Sequence, residues 1–348
     1  MGRIGRWLAP AAMLASNAPA AEMNNTRWLQ LPPLPDKEGF AAMYAGVSGG
    51  ALIAAGGANF PDKKPWEGGT KIWYDTVFVL EKPDGQWKQA GRLPRPLGYG
   101  VSVTHNGTVV CAGGSDAARH HPDCFKLEWR GGRLMNTHLP PLPRPVANAC
   151  GALLGDTLYV AGGIETPDAT AALKTFYALD LAAKPPVWRA LEPWPGPARM
   201  LAVAAALDGS FYLASGADLS AGPDGKPVRT YLRDAYCFTP GRGWKHLPDL
   251  PRAAVAAPSP APVIDRSTFL VISGDDASQL ATPPTRHPGF PNSILAYDTR
   301  AGRWTETGAT PSPRVTVPTA AWHGSWIILS GEQRPGVRSP EVWSFRLP

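Results

Sequence analysis

The sequence has little of what marks the commoner kinds of functional site. Only 18% of its 348 residues are charged, and only four are cysteine: Cys111, Cys124, Cys150 and Cys237. No two cysteines share a metal-ligand spacing such as C-x-x-C. Cys111 and Cys150 lie in apolar runs, which predicts buried free thiols, although a disulfide stays an open alternative if the protein is exported.

Basic clusters and several known motifs are also missing. The net charge of +6 is carried mostly by dispersed arginine, without the basic stripe typical of nucleic-acid binding, and scattered arginines suit an anionic small molecule better. No apolar run after residue 21 is long enough to span a membrane. There is no phosphate loop, no H-E-x-x-H and no S-x-D-x-G-x-x-W box of bacterial-type sialidases. The seven histidines are scattered, and His120-His121 is interpreted as a surface turn, not as part of a copper site.

Residues 1–21 resemble a secretory signal peptide. Arg3 and Arg6 form a basic start, an apolar stretch runs from Trp7 to Ala15, and Ala18-Pro19-Ala20 is a small-residue cleavage site. We therefore expect a periplasmic or secreted protein whose residues 22–348 form one domain. The alternative is a disordered or mis-assigned start.

What is abundant is glycine (37), proline (39) and tryptophan (13), in a repeating pattern. Six short apolar runs each end in Gly-Gly or Ser-Gly, and the last three pairs are Ser-Gly. The second glycines are 57, 49, 53, 58 and 57 residues apart: Gly57, Gly114, Gly163, Gly216, Gly274 and Gly331. Each pair precedes a second run, a turn, a Trp that should pack between neighbouring units, and a Pro-rich break. In the second unit, Leu134 takes the place of the Trp.

This pattern predicts four short strands per unit and six units. The expected fold is all-β, a six-bladed kelch-type β-propeller. A plain β-sandwich would not produce six phased units.

The chain ends at the third strand of its last unit, 342–345, and the missing fourth strand with its Trp lies at residues 26–30. The N-terminal strand should therefore join the C-terminal blade and close the ring, which removes free sheet edges.

Two sets of loops should surround one mouth of the central channel. The loops entering the inner strands bring a set of arginines, and those after the glycine pairs bring polar and acidic side chains, an arrangement that suits a hydroxylated carboxylate. The alternative is that each arginine pins its own blade. The predicted ligand-binding residues are Arg95, Arg199 and Arg314 from the first set, of which Arg199 and Arg314 are favoured, with Asn59 and Asp275 from the second.

Two loops carry further candidates. Residues 331–338 combine Glu332 with Arg338 around a Pro-Gly turn, so a proton-exchanging carboxylate stands beside a cation that could hold a carboxylate bidentately; a simple loop salt bridge is the alternative. In the first long loop, Trp66 could stack on a sugar ring and Glu67 could bond its hydroxyls, unless this loop is only a rigid lid.

These motifs resemble those of a known family. The segments 55–61, 66–69 and 99–102, and the pattern G-E-x-x-P-G-x-R at residues 331–338, are similar to kelch-propeller N-acetylneuraminate epimerases (sialic acid mutarotases), and more closely to their cyclically permuted group. The resemblance implies interconversion of the α and β anomers of sialic acid through the open 2-keto form, without metal or cofactor. It gives Glu332 the role of proton carrier and Arg338 that of holding the substrate carboxylate.

A non-catalytic kelch module that binds a protein or glycan through the same face is the competing interpretation. The two can be told apart by whether Glu332 and Arg338 lie in one pocket. The oligomeric state is left open.

Overall fold

The computed structural model describes residues 26–346. The predicted signal peptide lies outside these residues. The described part contains 29 strands and two 3-10 turns, Pro65–Glu67 and Pro284–Arg286. The strands are β1 (Arg27–Leu31), β2 (Tyr44–Ser48), β3 (Ala51–Ala55), β4 (Ala58–Asn59), β5 (Ile72–Trp73), β6 (Thr76–Leu80), β7 (Lys88–Arg92), β8 (Val101–His105), β9 (Thr108–Ala112), β10 (Cys124–Arg130), β11 (Arg133–Leu139), β12 (Cys150–Leu154), β13 (Thr157–Ala161), β14 (Phe176–Asp180), β15 (Trp188–Ala190), β16 (Val203–Leu207), β17 (Ser210–Ala214), β18 (Ala217–Ala221), β19 (Pro227–Tyr231), β20 (Ala235–Thr239), β21 (Gly243–Leu247), β22 (Thr268–Ile272), β23 (Ser293–Asp298), β24 (Arg303–Ala309), β25 (Thr319–Trp322), β26 (Ser325–Leu329), β27 (Glu332–Arg334), β28 (Val337–Arg338) and β29 (Val342–Arg346).

Six antiparallel sheets form the blades of a β-propeller, as predicted. From the inner to the outer strand they are blade 1 (β2-β3-β6-β7), blade 2 (β8-β9-β10-β11), blade 3 (β12-β13-β14-β15), blade 4 (β16-β17-β20-β21), blade 5 (β22-β23-β24) and blade 6 (β25-β26-β29-β1). Apolar faces of neighbouring blades pack together to form the core. Three further hairpins, β4-β5, β18-β19 and β27-β28, stand outside the blades.

Blade 5 has three strands instead of the predicted four. Its innermost segment contains Pro258, Pro260 and Pro262, and proline has no N–H to donate to a strand ladder. The segment makes an isolated bridge between Val263 and Phe269 instead of a full strand. The propeller therefore has six blades, of which blade 5 lacks a regular innermost strand.

The N-terminal strand closes the ring, as the sequence predicted. Strand β1 pairs with β29 over five residue pairs, from Arg27 with Arg346 to Leu31 with Val342. The Trp28 ring lies 4.6 Å, centroid to centroid, from the ring of Phe345. Blade 6 is therefore built from both ends of the described chain.

Deleting residues 1–35 should expose the edge of β29 and cause aggregation, because unpaired strand edges recruit other strands. The measurement is light scattering together with a thermal unfolding curve. The matched control deletes only residues 1–21, which keeps β1, and should stay soluble with a cooperative transition. A soluble, cooperatively unfolding protein lacking residues 1–35 would contradict this role for β1.

A closed ring of six backbone hydrogen bonds surrounds the propeller axis. Each blade contributes one residue in the left-handed region, with φ between 54° and 64°, although none is glycine. The N–H of each residue donates to the carbonyl of the next, in the order Ala42, Thr316, Ala256, Leu201, Asn148, Tyr99 and back to Ala42, with N···O distances of 2.7 to 2.9 Å. Such backbone strain persists only where the surrounding structure holds it, and here the ring itself does so.

The first and second residues of each Gly-Gly or Ser-Gly pair adopt different backbone conformations. The second glycine has φ from 91° to 123°, and a Cβ on Gly331 would lie 2.3 Å from Val317 Cγ2. The first position has φ from 55° to 67°, which serine tolerates. The Ser330 hydroxyl also accepts a hydrogen bond from the backbone N–H of Phe40 in the next blade, at 2.8 Å. Ser-Gly pairs therefore fit the same scaffold as Gly-Gly pairs.

The repeated tryptophans link neighbouring blades, as predicted. Each indole N–H donates to a backbone carbonyl near the end of the preceding unit, at 2.8 to 2.9 Å; the pairs are Trp87 with Pro32, Trp188 with Pro140, Trp244 with Glu192 and Trp304 with Pro248. Leu134, the exception, packs against the core between blades 1 and 2.

All four cysteines are free, and three are buried: Cys111, Cys124 and Cys150. Burial raises the thiol pKa of Cys124 and of Cys150 to about 12. These three thiols act as small apolar side chains of the core.

Candidate active site

A cavity of about 500 Å³ lies at one mouth of the propeller and is lined by loops from all six blades. Five residues of the axial hydrogen-bond ring, Tyr99, Asn148, Leu201, Ala256 and Thr316, also line it. Its charged lining residues are the cations Lys71, Arg229 and Arg338 and the acids Asp116, Asp275 and Glu332.

The hairpin β27-β28 brings Glu332 and Arg338 together in this cavity. The two residues are directly paired across the hairpin, whose turn contains Gly336 with φ 81°. The N–H of Gly336 donates to Glu332 Oε1 at 2.7 Å, and Arg338 Nη1 lies 3.6 Å from the same oxygen. Both side chains line one pocket, as expected if they act together on one ligand.

Arg338 is a buried cation with unused hydrogen-bonding capacity. The residue is 7% exposed, and its guanidinium carbon lies 4.8 Å from the centre of the Phe60 ring. Within the described residues, its Nε and Nη1 have no hydrogen-bond partner, since the 3.6 Å contact with Glu332 is beyond hydrogen-bond distance. A buried charge left in this state is costly, so an acceptor that enters the cavity would be strongly favoured.

Asp275 is the blade 5 counterpart of Glu332. Each follows the second glycine of its blade, and each forms a backbone bridge with a valine of the loop entering that blade: Asp275 with Val255, and Glu332 with Val315. Asp275 lines the cavity, and its Oδ2 accepts a hydrogen bond from the Tyr231 hydroxyl at 2.7 Å. Burial, and then this bond, raise the pKa of Tyr231.

Arg199 and Arg314, the favoured ligand-binding arginines, are instead part of the scaffold. Both are 0% exposed and neither lines the cavity. Arg199 Nη2 lies 2.6 Å from Asp234 Oδ2, and Arg314 Nη2 lies 3.0 Å from Glu341 Oε2. Their guanidinium groups satisfy acids of their own blades, as the alternative interpretation of these arginines proposed.

Arg314 also holds the base of the hairpin β27-β28. Its Nη1 donates to the carbonyl of Ser330 at 2.6 Å and to that of Glu341 at 3.1 Å. These two residues flank the segment 331–338 on its two sides. Burial lowers the pKa of Arg314 to about 10, while the charge of Glu341 acts in the opposite direction. Arg314 thus positions Glu332 and Arg338 without reaching the cavity.

Arg95 and Asn59 also lie outside the cavity lining. Arg95 Nε is 3.2 Å from Asp123 Oδ2, so this arginine too pairs with an acid of its own blade. Asn59 is fully buried; its amide donates to the carbonyl of Gly39 at 2.9 Å and its oxygen accepts from the Tyr74 hydroxyl at 2.8 Å. Asn59 therefore fixes the first loop.

Trp66 and Glu67 lie outside the cavity lining and stabilise the loop and the hairpin beside it. Glu67 Oε2 accepts a hydrogen bond from the backbone N–H of Lys64 at 2.9 Å and closes the 3-10 turn. Trp66 packs so closely on the hairpin β27-β28 that a Cβ on Gly336 would lie 2.9 Å from its ring. Neither residue lines the cavity, whereas Pro65 does. This loop has the features of the rigid lid considered as the alternative.

Lys71 and Arg229 are cavity cations that the sequence pattern did not single out. Lys71 Nζ lies 5.0 Å from the ring centre of Trp73 and 5.1 Å from that of Tyr99. Arg229 belongs to β19, in a hairpin inserted within blade 4. This hairpin follows the glycine pair, as β4-β5 and β27-β28 do in blades 1 and 6. The residues after the glycine pairs differ in number and type from blade to blade, so the repeat phase gives no signal for Arg229. Lys71 follows the Gly68-Gly69 motif and could have been found there.

The prediction that His120-His121 forms a surface turn is wrong. Both residues are buried, at 6% and 2% exposure. His121 Nε2 lies 2.7 Å from Asp116 Oδ2, and His120 lines the cavity with its Nδ1 3.0 Å from the carbonyl oxygen of Ile164. The loop folds inward because these side chains find acceptors there.

No group of three or more His, Cys, Asp or Glu side chains within residues 26–346 could hold a metal ion. No helix within the same residues is long and apolar enough to cross a membrane.

The fold and site together define a six-bladed β-propeller with a carboxylate–guanidinium pair in the cavity at its mouth. Comparison with known proteins then shows a similarity to one family. A family model described as N-acetylneuraminate epimerase matches residues 12–135. N-acetylneuraminate epimerase of Salmonella enteritidis PT4 is 41% identical over 105 residues, which cover 26% of this chain and 27% of the relative. That of Yersinia pestis is 35% identical over 127 residues, or 30% and 31%.

The matched part does not include the hairpin β27-β28. These alignments span less than a third of the curated relatives' length. The family model ends at residue 135, so it covers β1, all strands of blade 1 and most of blade 2, while Glu332 and Arg338 lie in blade 6. The resemblance found from the motifs is confirmed by these matches.

Proposed function

We propose that this protein is an isomerase that interconverts the α and β anomers of N-acetylneuraminate or a closely related sugar acid. The single observation that carries the proposal is the pairing of Glu332 with the buried, partly unpartnered Arg338 in one cavity. The similarity to N-acetylneuraminate epimerases supports the substrate class.

Arg338 orients the substrate. Its guanidinium is planar and can bind a carboxylate through two N–H groups at once. In sialic acid the carboxylate is bonded directly to the anomeric carbon, so binding at Arg338 brings that carbon next to Glu332. The separation of 3.6 Å between Arg338 Nη1 and Glu332 Oε1 sets how close the two groups come.

Glu332 moves the proton. Its Oε1 is held by the N–H of Gly336, while its Oε2 accepts no hydrogen bond from the described residues, so that oxygen can accept the proton of the anomeric hydroxyl. As the bond between the anomeric carbon and the ring oxygen breaks and a keto group forms, the same proton passes to the ring oxygen. Rotation of the open form and reclosure give the other anomer, and Glu332 returns to its starting state.

The other charged residues favour a sugar acid over a neutral sugar. Lys71 and Arg229 approach the cavity from blades 1 and 4, and Arg338 approaches from blade 6. Asp275, held by Tyr231, offers a carboxylate to a ligand hydroxyl.

The test is the exchange rate between the anomers of N-acetylneuraminate, measured by NMR with and without protein. The protein should accelerate exchange well above the spontaneous background, in proportion to its concentration. A rate equal to the background would overturn the proposed function for this sugar and would favour the binding-module alternative.

We further propose that the enzyme is exported, as a single propeller domain spanning residues 22–348, to the periplasm or the medium. The support is the pattern of residues 1–21, with Arg3, Arg6 and the small-residue site at 18–20. Comparing the N-terminus of the protein from cells with that of the encoded chain tests this.

A further inference from the structure

His120 is a buried imidazole at the edge of the proposed active site. It lies in the loop after the glycine pair of blade 2, where its backbone bridges to Ser115. The residue is 6% exposed and lines the same cavity as Glu332. Blade 2 and blade 6 are separated by blade 1, so His120 and Glu332 approach the cavity from different sides.

The hydrogen bonding of His120 fixes which nitrogen carries the proton. Its Nδ1 lies 3.0 Å from the carbonyl oxygen of Ile164. A carbonyl oxygen can only accept, so Nδ1 must donate its proton. In the neutral ring, Nε2 is then unprotonated and carries a lone pair. No described residue hydrogen-bonds this nitrogen, so it is free to accept a proton from a ligand.

We propose that His120 is a second proton-transfer residue, which serves the anomer whose hydroxyl lies away from Glu332. This inference rests on the proposed function. With the substrate carboxylate held at Arg338, the two anomers exchange the positions of the hydroxyl and the ring oxygen around the anomeric carbon. One fixed carboxylate is suited to one of these arrangements, and a second acceptor in the same cavity is needed for the other.

The proton balance closes with these two groups. On opening, the Glu332 carboxylate takes the anomeric hydroxyl proton and returns it to the ring oxygen as the carbon–oxygen bond breaks. On closing at the other face, the ring hydroxyl attacks the keto carbon and gives its proton to His120 Nε2. The resulting imidazolium then protonates the former keto oxygen. Both residues end as they began, with no oxidant or reductant required.

The surroundings keep His120 neutral. Burial lowers its pKa from the ordinary value, and the neighbouring His121 acts in the same direction; the Ile164 carbonyl and the carboxylates of Asp116 and Asp168 oppose this shift. Protonated His120 has no lone pair at Nε2 and cannot accept a proton. The rate of closure should therefore fall as the pH drops through a value below the usual histidine pKa.

His120→Asn tests the proposal with little disturbance of the loop. The asparagine amide can still donate to the Ile164 carbonyl from near the Nδ1 position, but it has nothing in place of Nε2. We expect kcat for anomer exchange to fall about 10²-fold, KM to change little, and the decline of the parent's rate at acidic pH to disappear. His138→Asn is the control, because His138 is exposed on β11 of the same blade.

A second measurement needs no substitution. Adding N-acetylneuraminate to the parent protein should shift the ¹⁵N resonance of His120 Nε2 and leave Nδ1 protonated. An unchanged Nε2 resonance under saturating sugar, or a His120→Asn protein with the parent's kcat and pH profile, would overturn the role of His120 while the parent's activity upheld the proposed function. A parent that does not accelerate exchange would overturn both.

Discussion

Glu332→Gln is expected to slow anomer exchange by about 10²–10⁴-fold, the usual contribution of general acid–base catalysis. Glutamine has the same shape, and its amide oxygen can still accept the hydrogen bond that Gly336 donates to Glu332 Oε1. It cannot carry the proton. The hairpin β27-β28 should therefore keep its structure while the chemical step fails.

The measurement is the exchange rate by NMR at fixed enzyme concentration, together with the thermal unfolding midpoint. Glu306→Gln provides the matched control, because Glu306 is an exposed acid on the outer strand β24 of blade 5. Both variants should unfold near the parent's midpoint. If Glu332→Gln exchanges N-acetylneuraminate as fast as the parent, Glu332 is not the proton carrier.

Arg338→Lys should weaken binding of N-acetylneuraminate by roughly 10–100-fold. Lysine keeps the positive charge but loses the planar fork that can bind both carboxylate oxygens. It also loses the flat guanidinium that lies over the Phe60 ring. The loss should fall mainly on KM and on the dissociation constant, because the proton carrier is unchanged.

Calorimetry with two sugars separates this effect from general damage to the site. The neutral sugar N-acetylmannosamine should bind the parent much more weakly than N-acetylneuraminate, and Arg338→Lys should reduce that preference. Arg92→Lys is the control, since Arg92 pairs with Asp75 at 2.8 Å on an exposed outer strand. Equal affinity of the parent for the two sugars would contradict the proposed role of Arg338.

The propeller could be predicted from the sequence because one geometric demand recurs in every blade. The second residue of each pair needs glycine, since its φ lies between 91° and 123°. That demand leaves six glycines in phase, and the phase also reveals that Trp28 belongs to blade 6. The shortened inner edge of blade 5 was not predicted, because Pro258, Pro260 and Pro262 interrupt a ladder that the other blades complete.

The site was predicted less completely, because spacing does not say which way an arginine points. Arg95, Arg199 and Arg314 all enter inner strands, and all three pair with an acid directly before the third strand of their own blade: Asp123, Asp234 and Glu341. That second repeat was present in the sequence and would have assigned these arginines to the scaffold. Arg338 does not enter an inner strand, and its nearest acid, Glu332 of the same hairpin, is 3.6 Å away. This difference marks Arg338 as the arginine left for a ligand.

The axial ring described above limits how the protein can recognise an anion. The six backbone N–H groups of this ring already donate to the ring's own carbonyl oxygens, so they cannot form the backbone cradle that many anion sites use. An anionic ligand in the cavity next to the axial ring is therefore held by side chains, here Lys71, Arg229 and Arg338. These three cations stand on loops and hairpins outside the blades, so selectivity among sugar acids can diverge by loop substitution while the core of the propeller stays the same.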